Sequence, residues 1–471
     1  MFLRQIWDEA LAQASYLIGC EQSRDAVVVD PTRDVDRYIE LAQRFGFRIA
    51  AVTETHIHAD FLSGSRELAR QTGAVLYLSG GGDAEWSYRW ASEEAVLLHA
   101  GDSFRVGQLV VTVFHTPGHT PEHVSFSVVD RARGATYPVG LLTGDFLFVG
   151  DVGRPDLLES AVGERGKARQ AAHHLFESLQ ILEHFPDFVQ VWPGHGAGSA
   201  CGKALGAMPH STIGYERRYN PALQIAHRER FVEYVLSGQP DPPLYFARMK
   251  RLNRDGVPPL PELPRPRLLH SEELRTLPGV WLVDTRPWDI FRQAHLEGAI
   301  FAPLTRAFPT VVASYVPEGA PVVLIARQQW LEAIVRSLVR VGVDEIVGYI
   351  EPEAIPSSGL CSMDMIGTEQ LEEFRHREGV LLVDVRDRYE YDAGHIPGAV
   401  HAPYARLPLY REHLPREAEL IVYCQSGERS AYAAAYLQRE GFRVRYCAGG
   451  FAEWLRSGGK IARSREPLSS A

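Results

Sequence analysis

The chain has no apolar run of about 18 or more residues, so no membrane-spanning helix is expected. It has no basic excess either. Its 49 Lys and Arg face 59 Asp and Glu, and the resulting net charge of −10 argues against nucleic acid as a partner. Cysteine is scarce: the five, at 20, 201, 361, 424 and 447, are odd in number and irregular in spacing. They make no disulfide framework, and a reducing cytoplasm is the expected location. The opening residues, Met1 to Gln5, lack the charged-then-apolar layout of a secretion signal, so none is expected. What remains is ordinary soluble-protein composition, 45% hydrophobic and 23% charged, over 471 residues. That length exceeds one ordinary core, so two or three domains are expected. The size also allows a homo-oligomer, dimer or tetramer.

Residues 256–267 include Pro258, Pro259, Pro261, Pro264 and Pro266, which exclude helix and central strand. They read as a stiff linker, closing a first domain over 1–255. Beyond it the chain repeats itself. Trp281-Leu282-Val283-Asp284-Thr285-Arg286 matches Leu381-Leu382-Val383-Asp384-Val385-Arg386, and His295-Leu296-Glu297-Gly298-Ala299 matches His395-Ile396-Pro397-Gly398-Ala399, each 100 residues on. Two copies of one domain, at 268–355 and 362–465, are therefore expected. In each, short apolar strands alternate with helical stretches, the pattern of an open parallel α/β sheet. The first domain instead has strand-like runs at 26–29, 49–52, 109–114, 123–129 and 139–143, with helical stretches at 35–45, 66–71 and 171–185. That mixture suggests an αββα sandwich.

The first domain is richest in metal-ligand chemistry. His56, His58 and Asp60 alternate just after the apolar run Ile49-Ala50-Ala51-Val52, and an extended chain would aim all three to one side. A two-metal hydrolytic site would want another His at 61, where Phe61 stands. Three more segments supply ligands at strand ends: Thr116-Pro117-Gly118-His119-Thr120, Thr143-Gly144-Asp145, and Trp192-Pro193-Gly194-His195-Gly196.

These four motifs, in this order, resemble the metallo-β-lactamase superfamily over roughly residues 1–250. Within it, Thr143-Gly144-Asp145-Phe146-Leu147-Phe148 followed by Gly153-Arg154-Pro155-Asp156 is similar to the persulfide dioxygenases. The resemblance implies that His56, His119 and Asp145 hold one Fe(II). Two His and a carboxylate leave positions open for persulfide and O2 side by side. His58, Asp60 and His195 are read as supporting or alternative ligands, with zinc as the ion if His58 joins. Arg154 is implied as the holder of a substrate carboxylate. Cys201, six residues after His195 in a Gly-flanked turn, is read as a sulfur acceptor or relay near the metal entrance.

The second repeat carries a nucleophile. The apolar run Leu420-Ile421-Val422-Tyr423 leads into Cys424-Gln425-Ser426-Gly427-Glu428-Arg429-Ser430, and a helical stretch follows. A Cys at a strand-to-helix turn faces backbone N–H groups and a helix N-terminus, which favour the thiolate. Ser426 and Gly427 keep the loop tight against substrate, and Arg429 braces it or meets an anion. These residues resemble rhodanese domains over about 365–458, which implies a Cys424 persulfide passing its outer sulfur to an acceptor. The first repeat places Ala326 opposite Cys424 and its next residues, Arg327 to Trp330, include no Gly. It is read as a degenerate copy serving as scaffold. Cys20, Cys361 and Cys447 are read as packing residues.

Taken together the sequence predicts persulfide oxidation to sulfite and thiol, coupled to rhodanese transfer that forms or uses thiosulfate. The alternatives are a glyoxalase-II-like zinc thioester hydrolase with an appended sulfurtransferase, and a sulfur-carrier or regulatory protein.

Overall fold

The structure, a computed structural model, describes residues 1–160, 166–356 and 358–464. Two compact units form, Met1–Leu263 with Val339–Gly342, and Pro264–Leu338 with Val343–Ala471.

The first unit stacks two six-stranded sheets. One runs Phe2–Asp8, Gln13–Gly19, Asp25–Val29, Arg48–Thr53, Val75–Ser79, Val96–Leu98 in that spatial order. The other runs Ser211–Thr212, Gln190–Pro193, Gly140–Gly144, Val124–Asp130, Leu109–His115, Ser103–Val106. Side-chain alternation sorts the core into layers. Tyr16, Ile18, Val27 and Val29 point between the sheets, meeting Val111, Val113, Phe126 and Val128. Leu17 and Val28, on the opposite face, pack under Tyr38 and Leu68 of the helices Asp36–Arg44 and Ser65–Thr72. On the far side Leu141 and Val191 meet Ala172, Leu175 and Val232 of the helices Lys167–Ser178 and Arg228–Leu236. This is the αββα sandwich, with helices outside and sheets inside. The helix expected at 171–185 is α-helical only to Ser178 and continues as a 3-10 segment, Leu179–His184. The N-terminal hairpin, Phe2–Asp8 with Gln13–Gly19, is not legible in the pattern. Gln13–Gly19 is buried throughout and so shows no alternation.

The second unit contains two five-stranded sheets with one topology. Their orders are Arg267–Leu268, Ile346–Ile350, Val322–Ile325, Trp281–Asp284, Ala299–Phe301, and Asp364–Ile366, Arg443–Cys447, Glu419–Tyr423, Val380–Asp384, Val400–His401. Every neighbouring pair is parallel. The two repeats lie within one compact unit. Aromatic contacts join them, with ring centroids of Tyr315 and Tyr436 4.5 Å apart and those of Phe301 and Tyr432 5.7 Å apart. The strand Arg267–Leu268 takes over where the Pro-rich segment ends.

The Asp-x-Arg motif is the same device in both copies. Arg386 Nε and Nη2 donate to the Asp384 carboxylate at 3.0 and 2.7 Å, and Arg286 does so to Asp284 at 3.0 and 2.6 Å. The second guanidinium contact reaches the carbonyl of Gly394 in one copy and of Ala294 in the other. Arg386 and Asp384 are both buried, so removing one partner strands a charge. Arg386→Ala is expected to lower unfolding free energy by about 3–5 kcal/mol, read as a lower midpoint for the second unit in urea.

Candidate metal centre and thiol site

Each metal-motif side chain leaves the end of a strand. His56 follows Arg48–Thr53, His119 lies between Leu109–His115 and Val124–Asp130, Asp145 follows Gly140–Gly144, and His195 follows Gln190–Pro193. Residues 54–60 are not extended, contrary to the expectation from alternation. Buried carboxylates take the backbone donors that a sheet neighbour would have used. Asp30 Oδ1 accepts from Thr55 N–H at 2.7 Å and Glu122 Oε1 accepts from Ile57 N–H at 2.7 Å.

The loop turns His56 inward. Its Nδ1–H donates to Thr55 Oγ1 at 2.9 Å, and Thr55 in turn donates to Asp30 Oδ2 at 3.0 Å. That assignment leaves a lone pair on Nε2, 3.9 Å from Asp145 Oδ2. His119 is set likewise: Nδ1–H donates to the Arg154 carbonyl at 3.1 Å and Nε2 stands 3.4 Å from the same Oδ2. Burial and neighbouring histidines hold the His56 pKa well below the ordinary value, and burial lowers that of His119. Both rings are therefore neutral, the form that binds metal. Asp145 Oδ1 accepts from His195 Nδ1–H at 2.7 Å, while Oδ2 is buried and, among the described residues, has no hydrogen-bond partner. Burial alone would raise the Asp145 pKa, but the charge and hydrogen bond of His195 outweigh it and keep the carboxyl well below its usual range. One ligand atom from each of His56, His119 and Asp145 lies within 4.8 Å of the others. Three electron-pair donors converging with no proton between them suit a cation, and the orphaned Oδ2 is the atom that needs one.

The other expected residues take different places. His58 turns away, its Nε2 3.1 Å from Asp30 Oδ1 and its ring against Phe61 at 4.3 Å. Burial opposes its charge, yet Asp30 raises its pKa. It joins neither ligand cluster found among the described residues. His195 donates from both nitrogens, to Asp145 and to Asp60 Oδ2 at 2.9 Å. Burial works against charge there too, but the two carboxylates lift its pKa well above the ordinary value. It holds Asp145 in place. Arg154, expected to hold a substrate carboxylate, is anchored by its neighbours. It is buried, Nε and Nη2 donate to Asp156 at 2.8 and 2.6 Å, and Nη1 donates to the Ala200 carbonyl at 2.8 Å. Three of its five N–H donors are taken this way, two of them by the carboxylate two residues on. Cys201 is buried and forms a second group with Asp60 and His195. Burial, then Asp60 and Asp145, push its thiol pKa well up. A relay there would start from thiol rather than thiolate.

Sequence reasoning missed Asp30 and His123. Asp30 serves Thr55 and His58 from a left-handed backbone at φ 53°, a conformation rare outside glycine. His123 Nε2 accepts from the Asp145 N–H at 3.1 Å, its Nδ1–H meeting Thr116 Oγ1 at 2.9 Å. Its position four residues after His119 was the available signal. Gly194 matters by what it lacks: a Cβ there would stand 2.7 Å from Asp145 Oδ1. Gly194→Ala is expected to swing the carboxylate and cut metal affinity by about tenfold, measured by competition with a chelator.

In the second unit Glu419–Tyr423 leads into Cys424, and the helix Glu428–Arg439 starts after Gly427 at φ 109°. The Gly427 N–H points to Cys424 Sγ at 3.1 Å and the Ser430 hydroxyl lies 3.5 Å away. A side chain on Gly427 would also strike the Tyr446 hydroxyl. Arg429 is occupied: it pairs with Asp387 at 3.2 Å and with Glu390 at 2.5 and 2.9 Å. These pairs brace the loop. Strand register aligns Asp384 with Tyr423 and Asp284 with Ile325, so Ala326 occupies the place of Cys424. Helical turns resume at Gln328 there, against Glu428 in the thiol-bearing copy.

Comparison with known proteins follows this division. Residues 8–195 match the Metallo-beta-lactamase superfamily and residues 367–457 match the Rhodanese-like domain. A solved metallo-beta-lactamase of Staphylococcus aureus superposes with TM-score 0.67 at 37% identity, covering 75% of this chain and 99% of that one. The chain belongs to the metallo-beta-lactamase superfamily. This superfamily member is also 28% identical over 233 residues to the mitochondrial persulfide dioxygenase ETHE1 of Bos taurus, covering 49% of this chain and 78% of that protein. Its C-terminal part is 40% identical over 82 residues to a sulfurtransferase of Allochromatium vinosum, covering 17% of this chain and 77% of that protein. In this metallo-beta-lactamase superfamily chain the His56, His119 and Asp145 cluster is contained in the first matched segment and Cys424 in the second.

Proposed function

We propose that the chain is a cytoplasmic enzyme of sulfur metabolism. In this reading it oxidises a low-molecular-weight persulfide with O2 to sulfite and thiol, and moves sulfane sulfur through Cys424, forming or using thiosulfate. The observation that carries this reading is the unsatisfied Asp145 Oδ2 facing two neutral imidazoles, on a chain that also presents a thiol at a strand-to-helix turn. His56, His119 and Asp145 would hold Fe(II). Bound there, Fe(II) supplies open coordination positions and the electrons for O2 chemistry. The chain's own groups hold the donor set rigid: Asp30 through Thr55 orients His56, the Arg154 carbonyl orients His119, and His195 and His123 fix Asp145. At the other site Cys424 carries the sulfur while Gly427 N–H and Ser430 face its Sγ. The first repeat acts as a rhodanese-like scaffold without a thiol, and Ala326→Cys should yield no transferase because its loop is also shorter.

The test is oxygen uptake by iron-loaded protein with a panel of persulfides, with sulfite measured as product. Uptake absent with every persulfide would sink the oxygenase reading. A second reading, a zinc thioester hydrolase, is favoured by the Asp60, His195 and Cys201 group beside the first cluster. Thioester hydrolysis that persists without oxygen would select it.

A further inference from the structure

The loop around Cys424 is poor in available positive charge. Arg429 is spent on Asp387 and Glu390, Arg386 on Asp384, and Glu428 accepts a hydrogen bond from Tyr432. A dianionic acceptor would meet more carboxylates than cations there. The thiol-free repeat offers what is missing. Its helix Trp288–Gln293 places Trp288 and Arg292 one turn apart on one face. The Trp288 ring packs against Tyr446, centroids 4.9 Å apart, and the Tyr446 hydroxyl lies over Gly427 in the Cys424 loop. The Trp288 indole N–H and the Arg292 Nε–H are both buried and, among the described residues, have no hydrogen-bond partner. No carboxylate pairs with Arg292 among those residues either. The Tyr446 hydroxyl, whose pKa burial chiefly raises to about 12, also senses Cys424, Cys447 and Asp289, and Arg292 against them. Two stranded donors, one of them charged, lie on a helix that touches the wall of a nucleophile's loop. Buried donors without acceptors cost stability unless something fills them.

We propose that Trp288 and Arg292 of the thiol-free repeat form an oxyanion subsite for the Cys424 reaction, binding sulfite or the sulfonate end of thiosulfate. The inference rests on the sulfur-transfer reading of Cys424. In the forward step the sulfite sulfur attacks the outer sulfur of the Cys424 persulfide. A new S–S bond forms, the bond to Cys424 breaks, and its electron pair stays on Cys424 as thiolate, giving thiosulfate without any outside oxidant. Arg292 neutralises the approaching dianion, and a neutral acceptor does not need it.

The experiment compares alkylation of Cys424 in the full chain by anionic iodoacetate and neutral iodoacetamide, read by peptide mass spectrometry. Arg292→Gln is expected to lower the iodoacetate-to-iodoacetamide rate ratio by about fivefold to tenfold, Arg292→Lys to keep it, and Trp288→Phe to lower it by about twofold to threefold. The iodoacetamide rate checks that the loop remains folded. An unchanged ratio in Arg292→Gln, or an equal fall in Arg292→Lys, overturns the subsite. Transfer from Cys424 persulfide then separates the underlying reading. With the subsite correct, Arg292→Gln raises KM for sulfite by about tenfold and leaves discharge by dithiothreitol unchanged. If the wild type discharges to neither acceptor while the alkylation ratio behaves as expected, the anion subsite stands and the transfer reading falls.

Discussion

Asp145→Ala is expected to abolish both iron retention and persulfide-dependent oxygen uptake. Asp145 contributes the only carboxylate of the cluster, so its loss removes charge as well as a ligand atom. Residues that merely orient a ligand typically cost about 10–100-fold in metal affinity, and loss of the ligand itself should exceed that. A second effect adds to the first. His195 is buried and its charge is sustained by Asp145 on one nitrogen and Asp60 on the other, so the variant leaves it half-paired. Asp145→Asn separates the contributions, because the amide keeps the shape and removes the charge. Metal content by emission spectrometry and oxygen electrode traces read the outcome. Full iron content in Asp145→Ala would place the metal elsewhere.

Cys424→Ser is expected to have the complementary phenotype. Sulfur transfer between thiosulfate and a thiol should fall on the order of a thousandfold or more, since a hydroxyl cannot carry sulfane sulfur. Oxygen uptake with a preformed persulfide should stay within about twofold of wild type, because the ligand cluster draws on the first unit alone. The exchange is nearly isosteric, and the Gly427 N–H and Ser430 hydroxyl remain to satisfy the new oxygen. Equal loss of both activities would mean that the dioxygenase reaction itself passes through Cys424. Transfer retained in Cys424→Ser would move the sulfur carrier to another of the five cysteines.

Much of the fold is legible in the amino-acid pattern. The strands at 26–29, 49–52, 109–114, 123–129 and 139–143 all appear within a residue or two, because each alternates or runs apolar between Gly and Pro turns. The repeat is legible because Asp-x-Arg and the His-x-x-Gly-Ala stretch do the same local work twice. His295 and His395 each meet the carbonyl four residues earlier, at 2.8 Å in both copies. Elements with a weak pattern are not legible. Phe2–Asp8 is mixed in polarity, and Val75–Ser79 and Val96–Leu98 are short strands next to exposed edges.

By itself the sequence determined which chemistries were available: imidazoles and a carboxylate at strand ends, a thiol between a strand and a helix, and a second copy with alanine in its place. Those follow from residue type and local spacing. Tertiary structure alone decided which groups meet. His58 found Asp30, 28 residues away in sequence, instead of the metal cluster. His195 came to bridge Asp145 and Asp60, 50 and 135 residues away. Arg154 and Arg429 pair with carboxylates, while the Trp288 indole N–H, beside Tyr446, and the Arg292 Nε–H have no partner among the described residues. The physical reason is the same in each case. A buried polar group takes whichever partner packing brings within about 3 Å, and that partner is set by how the sheets and helices stack, not by the neighbours along the chain.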